Sequence, residues 1–243
     1  SVAYGYTGAT GPDHWGSLSP RFSACSSGKN QSPVNINKNE TVTNKNLKAL
    51  VRDYKNGNAT LYNNGNDIGI NYDSSVGVLL VDGKNFSLKN MHFHIPSEHR
   101  IDGVQFPAEL HLFHTAPDGS AAVVAILYEL GDADPLIDKL KDPLDQLAKD
   151  KCASDEVSQV LIGTFDTKAI RRKTRKFFRY KGSLTTPPCT ENVTWNVLGK
   201  VRTITKEQVE ALTGPLDAAN KKNARPVQAL NGRKIELYDE LGD

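Results

Sequence analysis

The stretch MHFHIPSEH, residues 91–99, places three of the chain's six histidines close together. It continues a run with β-strand character, FSLKNMHFH (86–94). Side chains on a strand alternate between its two faces, so His92 and His94 project to the same side, roughly 6–7 Å apart along the chain. That spacing would allow two imidazoles to converge on one cation.

A second strand-like run, AELHLFH (108–114), carries two more histidines. Its alternation puts Glu109, His111 and Phe113 on one face and His114 on the other. A neighbouring strand that faces the same way as His92 would therefore bring His111 to the cation, but not His114.

Three imidazole nitrogens without a nearby thiolate are typical of a catalytic zinc site that keeps its fourth position open. Glu109 precedes His111 by two residues on the same face and could accept the free N–H of that ring. The alternative is that these are ordinary buried histidines, which are far commoner than zinc ligands. For His99 and His114 we keep that alternative and expect packed, hydrogen-bonded rings.

Short runs rich in β-branched and aromatic residues recur along the chain, separated by Gly, Asn, Asp and Pro. No internal repeat or low-complexity linker divides residues 1–243, so we expect a single domain of the mainly β (α+β) class with short peripheral helices. The predicted strands are ATLYN (59–63), DIGINY (67–72), GVLLVDG (77–83), FSLKNMHFH (86–94), AELHLFH (108–114), AAVVAILYEL (121–130), FFRYKGSL (177–184) and VTWNVL (193–198).

Three local signals are more specific. Asp82-Gly83 predicts a tight β-hairpin. Residues 205–213 predict a helix that Thr205 and Gln208 begin as a capping box and that Gly214 ends. The segment 135–149 is amphipathic, but Pro143 is expected to interrupt it.

Charge and hydropathy exclude several function classes. The formal net charge of +2 and pI near 8.3 are too balanced to indicate a nucleic-acid or membrane-surface protein. No apolar run approaches the roughly 18 residues of a membrane span. The segment 168–181, KAIRRKTRKFFRYK, is strongly basic. We favour a solvated face for it, with binding to an acidic polysaccharide or cell wall as the alternative.

Several motifs together closely resemble the α-class carbonic anhydrases, and more the bacterial, plant, algal or fungal members than the animal ones. They follow the family's order over nearly the whole chain. The motifs are GPDHW (11–15), QSPVNI (31–36), NNG (63–65), HFH (92–94), SEH (97–99), ELHLFH (109–114), GSLTTPPCTENVTW (182–195) and NARPVQALNGR (223–233).

The resemblance implies a large, mostly antiparallel twisted β-sheet. It also implies a zinc enzyme that reversibly hydrates carbon dioxide to bicarbonate and a proton through a zinc-bound hydroxide, with one zinc per chain. Sulfonamides and anions are the expected inhibitors, and a homodimer is an open expectation. The alternative function is a catalytically silent storage or binding relative; such relatives typically lose a ligand histidine.

The family pattern also implies residue roles. His92, His94 and His111 would be the zinc ligands, in agreement with the alternation argument. Thr185 would accept a hydrogen bond from the hydroxide and donate one to Glu98, which as an ionised carboxylate can only accept.

Further residues follow from the same pattern. Thr186 would line the anion side. Asn90 replaces a glutamine that contacts the first ligand histidine; because it is shorter, we expect that contact to be lost or mediated by water. An apolar wall would hold carbon dioxide, with Phe113 bulkier than the usual aliphatic residue. The wall residues are Val123, Leu184, Val193, Trp195 and Phe113.

Proton transfer is where this sequence departs from the family. Asn66 stands where the shuttle histidine usually follows the NNG motif, and asparagine has no group that titrates near neutral pH. Tyr6 and Asn64 match residues that order cavity water, but neither replaces a base. We therefore expect slower turnover that depends on buffer.

Cys25 and Cys189 match a disulfide of extracellular members of the family. Cys152 is left over; an unpaired thiol is favoured over an intermolecular bridge. Five N-x-[ST] patterns point the same way, towards a secreted glycoprotein, in the periplasm or cell wall if the source is bacterial. They begin at Asn30, Asn39, Asn58, Asn85 and Asn192.

Overall fold

The computed structural model describes residues 2–150 and 157–242 as a mainly β protein with short helices. The strands are β1 (Asn35–Ile36), β2 (Val42–Thr43), β3 (Val51–Tyr54), β4 (Gly57–Asn63), β5 (Ile68–Tyr72), β6 (Gly77–Val81), β7 (Lys84–His94), β8 (Arg100–Ile101), β9 (Val104–Gln105), β10 (Ala108–Thr115), β11 (Ala121–Leu130), β12 (Ser158–Phe165), β13 (Lys176–Ser183), β14 (Glu191–Leu198), β15 (Arg202–Ile204) and β16 (Glu236–Asp239). The α-helices are α1 (Trp15–Leu18), α2 (Ala24–Ser27), α3 (Pro135–Asp138), α4 (Lys141–Lys149) and α5 (Lys206–Thr213).

Thirteen of the described strands form one large sheet. Its main path runs β12-β4-β5-β7-β10-β11-β14-β13-β16-β2, and β3, β6 and β15 pair at its sides. Most neighbours are antiparallel; β11 pairs in parallel with β14 and β15, and β16 with β2. The predicted fold class, mainly β on a large and mostly antiparallel sheet, is confirmed.

The predicted local signals can be compared with the structure one by one. All eight predicted runs lie in strands. The hairpin between β6 and β7 turns at Asp82 and Gly83, whose φ angles of 48° and 82° are the positive values of a type I′ turn. Thr205 and Gln208 form the capping box of α5.

The segment 135–149 is interrupted, as expected, but the break lies four residues before Pro143 and not at it. Pro143 is the third residue of α4, and the chain breaks earlier, at Lys139 and Leu140 between α3 and α4. The first N–H groups of a helix have no partner within the helix, so proline is tolerated there without losing a hydrogen bond.

The two faces of the sheet bury two separate apolar clusters. On β13, Phe177 enters the larger cluster and Phe178 the smaller one. On β10, Leu110 and Leu112 belong to the larger cluster, whereas Phe113 packs against the smaller one. The histidine-bearing face is therefore the one that carries the smaller cluster.

A disulfide joins Cys25 to Cys189, 164 residues apart in sequence. It packs with the fully buried Trp15 in a third cluster that includes Tyr4 and Tyr6. The N-terminal segment is thereby fastened to the loop that follows β13. Cys152 lies outside the described residues. Among those residues there is no helix long and apolar enough to cross a membrane.

His114 is buried on the opposite face from the other strand histidines, as its alternation predicts. Its Nδ1–H donates to the carbonyl of Ala122 at 3.0 Å, and the Tyr54 hydroxyl donates to Nε2. Burial lowers the pKa of the ring to about 4, because the charged form would lose its hydration.

This lowered pKa links His114 to stability. The unfolded chain takes up a proton at His114 near pH 6.5, whereas the folded protein resists it until about pH 4. The contribution of His114 to the free energy of unfolding is thus fully present above pH 6.5. It falls by about 3 kcal/mol as the pH is lowered towards 4. The free energy of unfolding, measured with urea near pH 7 and near pH 4, should fall less between these two values for His114→Gln than for the native protein. Equal losses in the two proteins would contradict the buried, neutral ring.

Candidate metal centre

The antiparallel pairing of β7 with β10 brings the three predicted histidines together. His92 lies directly opposite His111, and His94 opposite Glu109. Ring centroids are separated by 5.2 Å for His92 and His94, 5.2 Å for His92 and His111, and 4.7 Å for His94 and His111. One nitrogen from each ring lies within 4.8 Å of the others, so the set could hold one metal ion.

The outer nitrogen of each ring faces a hydrogen-bond acceptor. His92 Nδ1 lies 3.1 Å from Asn90 Oδ1, His94 Nδ1 lies 2.8 Å from the carbonyl of Asn223, and His111 Nε2 contacts Glu109 Oε2. A neutral imidazole that donates from its outer nitrogen presents a lone pair at the inner one. The inner atoms are thus Nε2 of His92 and His94 and Nδ1 of His111.

The direct contact of Asn90 corrects the expectation that it would be lost or mediated by water. On β7 the register shifts between Asn90, which pairs with Phe113, and Leu88, which pairs with His114. The intervening Lys89 is the extra residue of a β-bulge, which increases the local twist of the strand. The bulge lies outside the pair Asn90 and His92, whose side chains share one face of β7 and are close enough for the shorter amide to reach the ring.

Burial keeps the three imidazoles neutral, which is the form that binds a metal. It lowers the pKa of His92 well below its ordinary value, lowers the pKa of His94, and lowers that of His111 to about 4 in spite of Glu109. His94 Nε2 is fully buried and has no hydrogen-bond partner among the described residues. An orphaned buried nitrogen is rare, and a cation would satisfy it. The donor set, three imidazole nitrogens without a thiolate, fits zinc.

Glu109 is the centre of the surrounding network and is completely buried. One oxygen accepts the backbone N–H groups of Glu98 and His99 at 3.1 and 2.8 Å, and the other contacts His111 and, at 2.8 Å, His99 Nδ1. Burial opposes its ionisation, but these two imidazoles hold its pKa well below the usual range. His99 also contacts Tyr180 at 2.6 Å, so the packed reading of His99 agrees with the structure.

Glu98 lies beside the inner nitrogens. Its Oε1 is 3.3 Å from His94 Nε2, and its Oε2 accepts the backbone N–H of Arg225 at 2.8 Å. Burial and, next, the nearby Glu109 raise its pKa to about 8, although the Thr185 hydroxyl opposes the shift. A divalent cation among the histidines would favour the ionised carboxylate, since a bound ion is the largest charge in such a site.

The remaining predicted residues surround this centre. Thr185 is buried in the loop after β13, which Cys189 N–H closes by donating to the Thr186 carbonyl at 2.8 Å. Asn64 Oδ1 accepts the N–H of Asn66 at 3.0 Å, and Asn66 donates its amide to the Tyr4 carbonyl at 3.1 Å.

The five residues predicted as an apolar wall share one environment. They belong to or pack against the smaller apolar cluster, on the face of the sheet that carries the histidines. Phe113 pairs with Val123 across β10 and β11, and Val123 pairs with Trp195 across β11 and β14. The other two are Leu184 and Val193. The hydroxyl of Tyr6 is buried without a hydrogen-bond partner among the described residues.

Sequence reasoning missed Asn223 and Arg225. The Asn223 carbonyl orients His94, while its side chain accepts the N–H of Ile95 at 2.8 Å and donates to the carbonyl of Asn66 at 2.8 Å. Arg225 donates its side chain to Gln31 and to the carbonyls of Ser32 and Cys25. Both lie in the motif NARPVQ, which gave a signal for the family but none for these contacts.

Comparisons with known proteins agree with this geometry. The sequence profile of the eukaryotic-type carbonic anhydrases matches residues 10–239. Alpha carbonic anhydrase 7 of Arabidopsis thaliana is 41% identical over 228 residues, which cover 94% of this chain and 81% of that protein.

Two solved structures are similar over nearly their whole length. A crystal structure of dioscorin complexed with ascorbate has a TM-score of 0.94 at 32% identity and covers 99% of this chain and 100% of its own. The α-carbonic anhydrase from Thermovibrio ammonificans with the inhibitor sulfanilamide has a TM-score of 0.85 at 34% identity and covers 97% and 99%.

Asn90 gives a direct test of the metal centre. Because its amide oxygen fixes the ring of His92, Asn90→Ala should weaken zinc affinity about tenfold. Asn90→Gln is the matched control, since it keeps the amide. Competition with a chromophoric chelator measures both affinities without any assay of activity. Equal affinities for native protein and Asn90→Ala would exclude a part for Asn90 in metal binding.

Proposed function

Because this chain belongs to the eukaryotic-type carbonic anhydrase family, we propose that it catalyses the reversible hydration of carbon dioxide to bicarbonate and a proton. The observation that carries the proposal is the convergence of three neutral imidazole nitrogens, one of them buried and unpartnered, beside Glu98. The proposal treats residues 1–243 as one catalytic domain.

The three histidines would hold one zinc ion per chain. When bound, zinc would lower the pKa of a coordinated water to about 7, a value established for carbonic anhydrases, and so supply the nucleophile. Asn90, the Asn223 carbonyl and Glu109 would keep the three rings in orientation, because each fixes the outer nitrogen of one ring.

Thr185 and Glu98 would orient the attacking nucleophile. An ionised Glu98 accepts hydrogen bonds only, so it fixes the Thr185 hydroxyl as a donor towards itself. A lone pair of the threonine oxygen then remains to accept a hydrogen bond from the nucleophile. This hydrogen bond would turn a lone pair of the nucleophile towards the substrate. Thr186, the next residue, would line the side where the product anion leaves.

The smaller apolar cluster would hold carbon dioxide, which is itself apolar. Val123, Val193 and Trp195 come from adjacent strands and line one surface, and Leu184 adjoins Thr185. Phe113 is in register with Val123 and would narrow the space in front of it. This wall positions substrate without forming a hydrogen bond to it.

Proton release would be the slow step at saturating substrate. Asn66 keeps its amide on the carbonyl of Tyr4 and cannot take up a proton near neutral pH. Tyr6 is unsuitable as a relay, because burial raises its pKa well above 10. Buffer molecules would therefore accept the proton.

A second candidate is a catalytically silent storage or binding protein. The similarity to dioscorin, whose structure holds ascorbate, at a TM-score of 0.94 favours the binding alternative. The retention of all three histidines with Glu98 and Thr185 favours the enzyme.

We further propose an extracellular or cell-wall location. The disulfide is typical of an oxidising compartment, and all five asparagines of the N-x-[ST] patterns are exposed, so each is accessible to a glycan. Sulfonamides and anions would inhibit the enzyme by occupying the zinc and the Thr185 side of the site. Association as a homodimer stays a prediction.

Buffer dependence tests the function and the missing shuttle together. Stopped-flow hydration of carbon dioxide, on protein with one zinc per chain, should give turnover that rises with imidazole buffer. Asn66→His should raise turnover in weak buffer and reduce that dependence. Stoichiometric zinc without hydration would support the silent relative instead. Fast turnover that does not respond to buffer would show that another shuttle operates.

Thr185 tests the orientation of the nucleophile. Thr185→Val keeps the shape of the side chain but removes the hydroxyl, and should lower kcat/KM about a hundredfold. Thr185→Ser, which keeps the hydroxyl, is the control and should retain most activity. Zinc content, measured on each variant, should stay at one per chain. A valine variant that is as active as the native protein would refute this role.

A further inference from the structure

A second polar site lies at the opposite end of β13 and β14 from Thr185. It is a cavity of about 280 Å³ where β13 begins and β14 ends. Among the described residues, Thr174 and Leu198 complete a lining that has no carboxylate and six cationic side chains, namely Arg172, Lys173, Arg175, Lys176, Lys200 and Arg202.

Most of the cations in this lining form no ion pair with the described residues. Lys173 pairs with Glu240 at 2.9 Å. Within residues 2–150 and 157–242, the other five cations of the lining have no ion-pair partner. By contrast, Lys139 and Arg171, which lie outside the lining, both pair with Asp166.

Behind the cavity wall, Arg52 adds a seventh cation. Its side chain donates from Nη2 to the Thr174 hydroxyl and the Arg172 carbonyl, both in lining residues. Arg52 is only 9% exposed, and its Nη1 is buried with no hydrogen-bond partner among the described residues. Burial and the nearby Arg202 lower its pKa to about 10. Burying the Arg52 guanidinium with one nitrogen unsatisfied, close to five unpaired cations, costs free energy. A bound anion would offset this cost by attracting the positive charges.

We propose that this cavity binds an acidic carbohydrate, a chain of sugar units that carry carboxylate or sulfate groups. The three arginines of the lining present planar forks that match carboxylate and sulfate oxygens in bidentate geometry. The basic segment 168–181 also includes Lys168 and Lys181, which lie outside the lining, so the cavity belongs to a longer basic stretch of sequence. A single small anion would leave most of the 280 Å³ to water.

Two other polyanions fit the lining less well. The lining residues that the structure describes include no aromatic side chain, so the bases of a single-stranded nucleic acid would have no stacking surface there. Leu198 is the one apolar side chain among the lining residues, so a membrane surface would gain almost no apolar anchoring. The residue set is suited to charge and hydrogen bonding alone.

The cavity is independent of the metal centre. β13 is eight residues long and separates the lining residue Lys176 from the loop of Thr185. At a rise of about 3.3 Å per residue, the two ends of the strand are roughly 25 Å apart. Both sites could therefore be occupied together, and changes in the cavity should leave zinc binding unaltered.

Fluorescence anisotropy with a labelled oligogalacturonate tests the proposal on the full chain. Arg175 and Lys200 are exposed and come from the two sides of the cavity. The double variant Arg175→Gln/Lys200→Gln should weaken binding about tenfold or more, since each substitution removes one cation that would pair with a carboxylate. Its matched control is Lys141→Gln/Lys149→Gln on α4, which removes the same net charge from exposed positions outside the lining.

The control should bind as the native protein does, with unchanged unfolding temperatures and zinc affinity in both variants. Equal weakening in the two double variants would overturn the proposal, because binding would then follow net charge alone. Competition by inorganic phosphate at the same concentration of charge, or tighter binding of a single-stranded oligonucleotide of equal length, would overturn the assignment to carbohydrate. Competition by a heparin oligosaccharide but not by phosphate would support it.

Discussion

The antiparallel register between β7 and β10 is the constraint on which the metal centre depends. It sets His92 opposite His111 and His94 opposite Glu109. A slip of one residue would turn every side chain of a strand to the other face, so the histidines would enter the larger apolar cluster. Met91 and Leu110, which are fully buried on that other face, hold the register because they would be exposed to the polar site by such a slip. Apolar packing on one face thus fixes polar geometry on the other.

Glu109 extends this constraint from two strands to the surrounding loop. A buried carboxylate is costly unless it is fully hydrogen-bonded, and Glu109 uses both oxygens for two backbone N–H groups and two imidazoles. The backbone contacts fix the chain at Glu98 and His99, so the same carboxylate that orients His111 also places Glu98. Removing it would leave several donors unsatisfied at once, and for that reason the group acts as a structural centre as well as a partner of one ring.

Periodicity was sufficient for much of the fold and for the ligand candidates. Alternation placed His92, His94 and His111 on one face and His114 on the other without any knowledge of tertiary contacts. It could not find Asn223, because a backbone carbonyl that meets His94 across 129 residues leaves no pattern in sequence. The direct contact of Asn90 with His92 depends on the conformation of the amide side chain, which alternation does not specify. The interruption of 135–149 was expected at Pro143 but lies before it, because the effect of a proline depends on its position within the helix and the sequence did not fix where α4 begins.

The disulfide between Cys25 and Cys189 also constrains how the chain is made. Synthesis proceeds from the N-terminus at about 5–20 residues per second, so Cys25 emerges roughly 10–30 s before its partner. Cys152 emerges in the interval and is the first thiol that Cys25 can meet. In an oxidising compartment, a premature bridge between these two would compete with the native one and would have to be exchanged before the N-terminal segment could dock. The yield of correctly paired protein would then depend on access to a disulfide isomerase in that compartment.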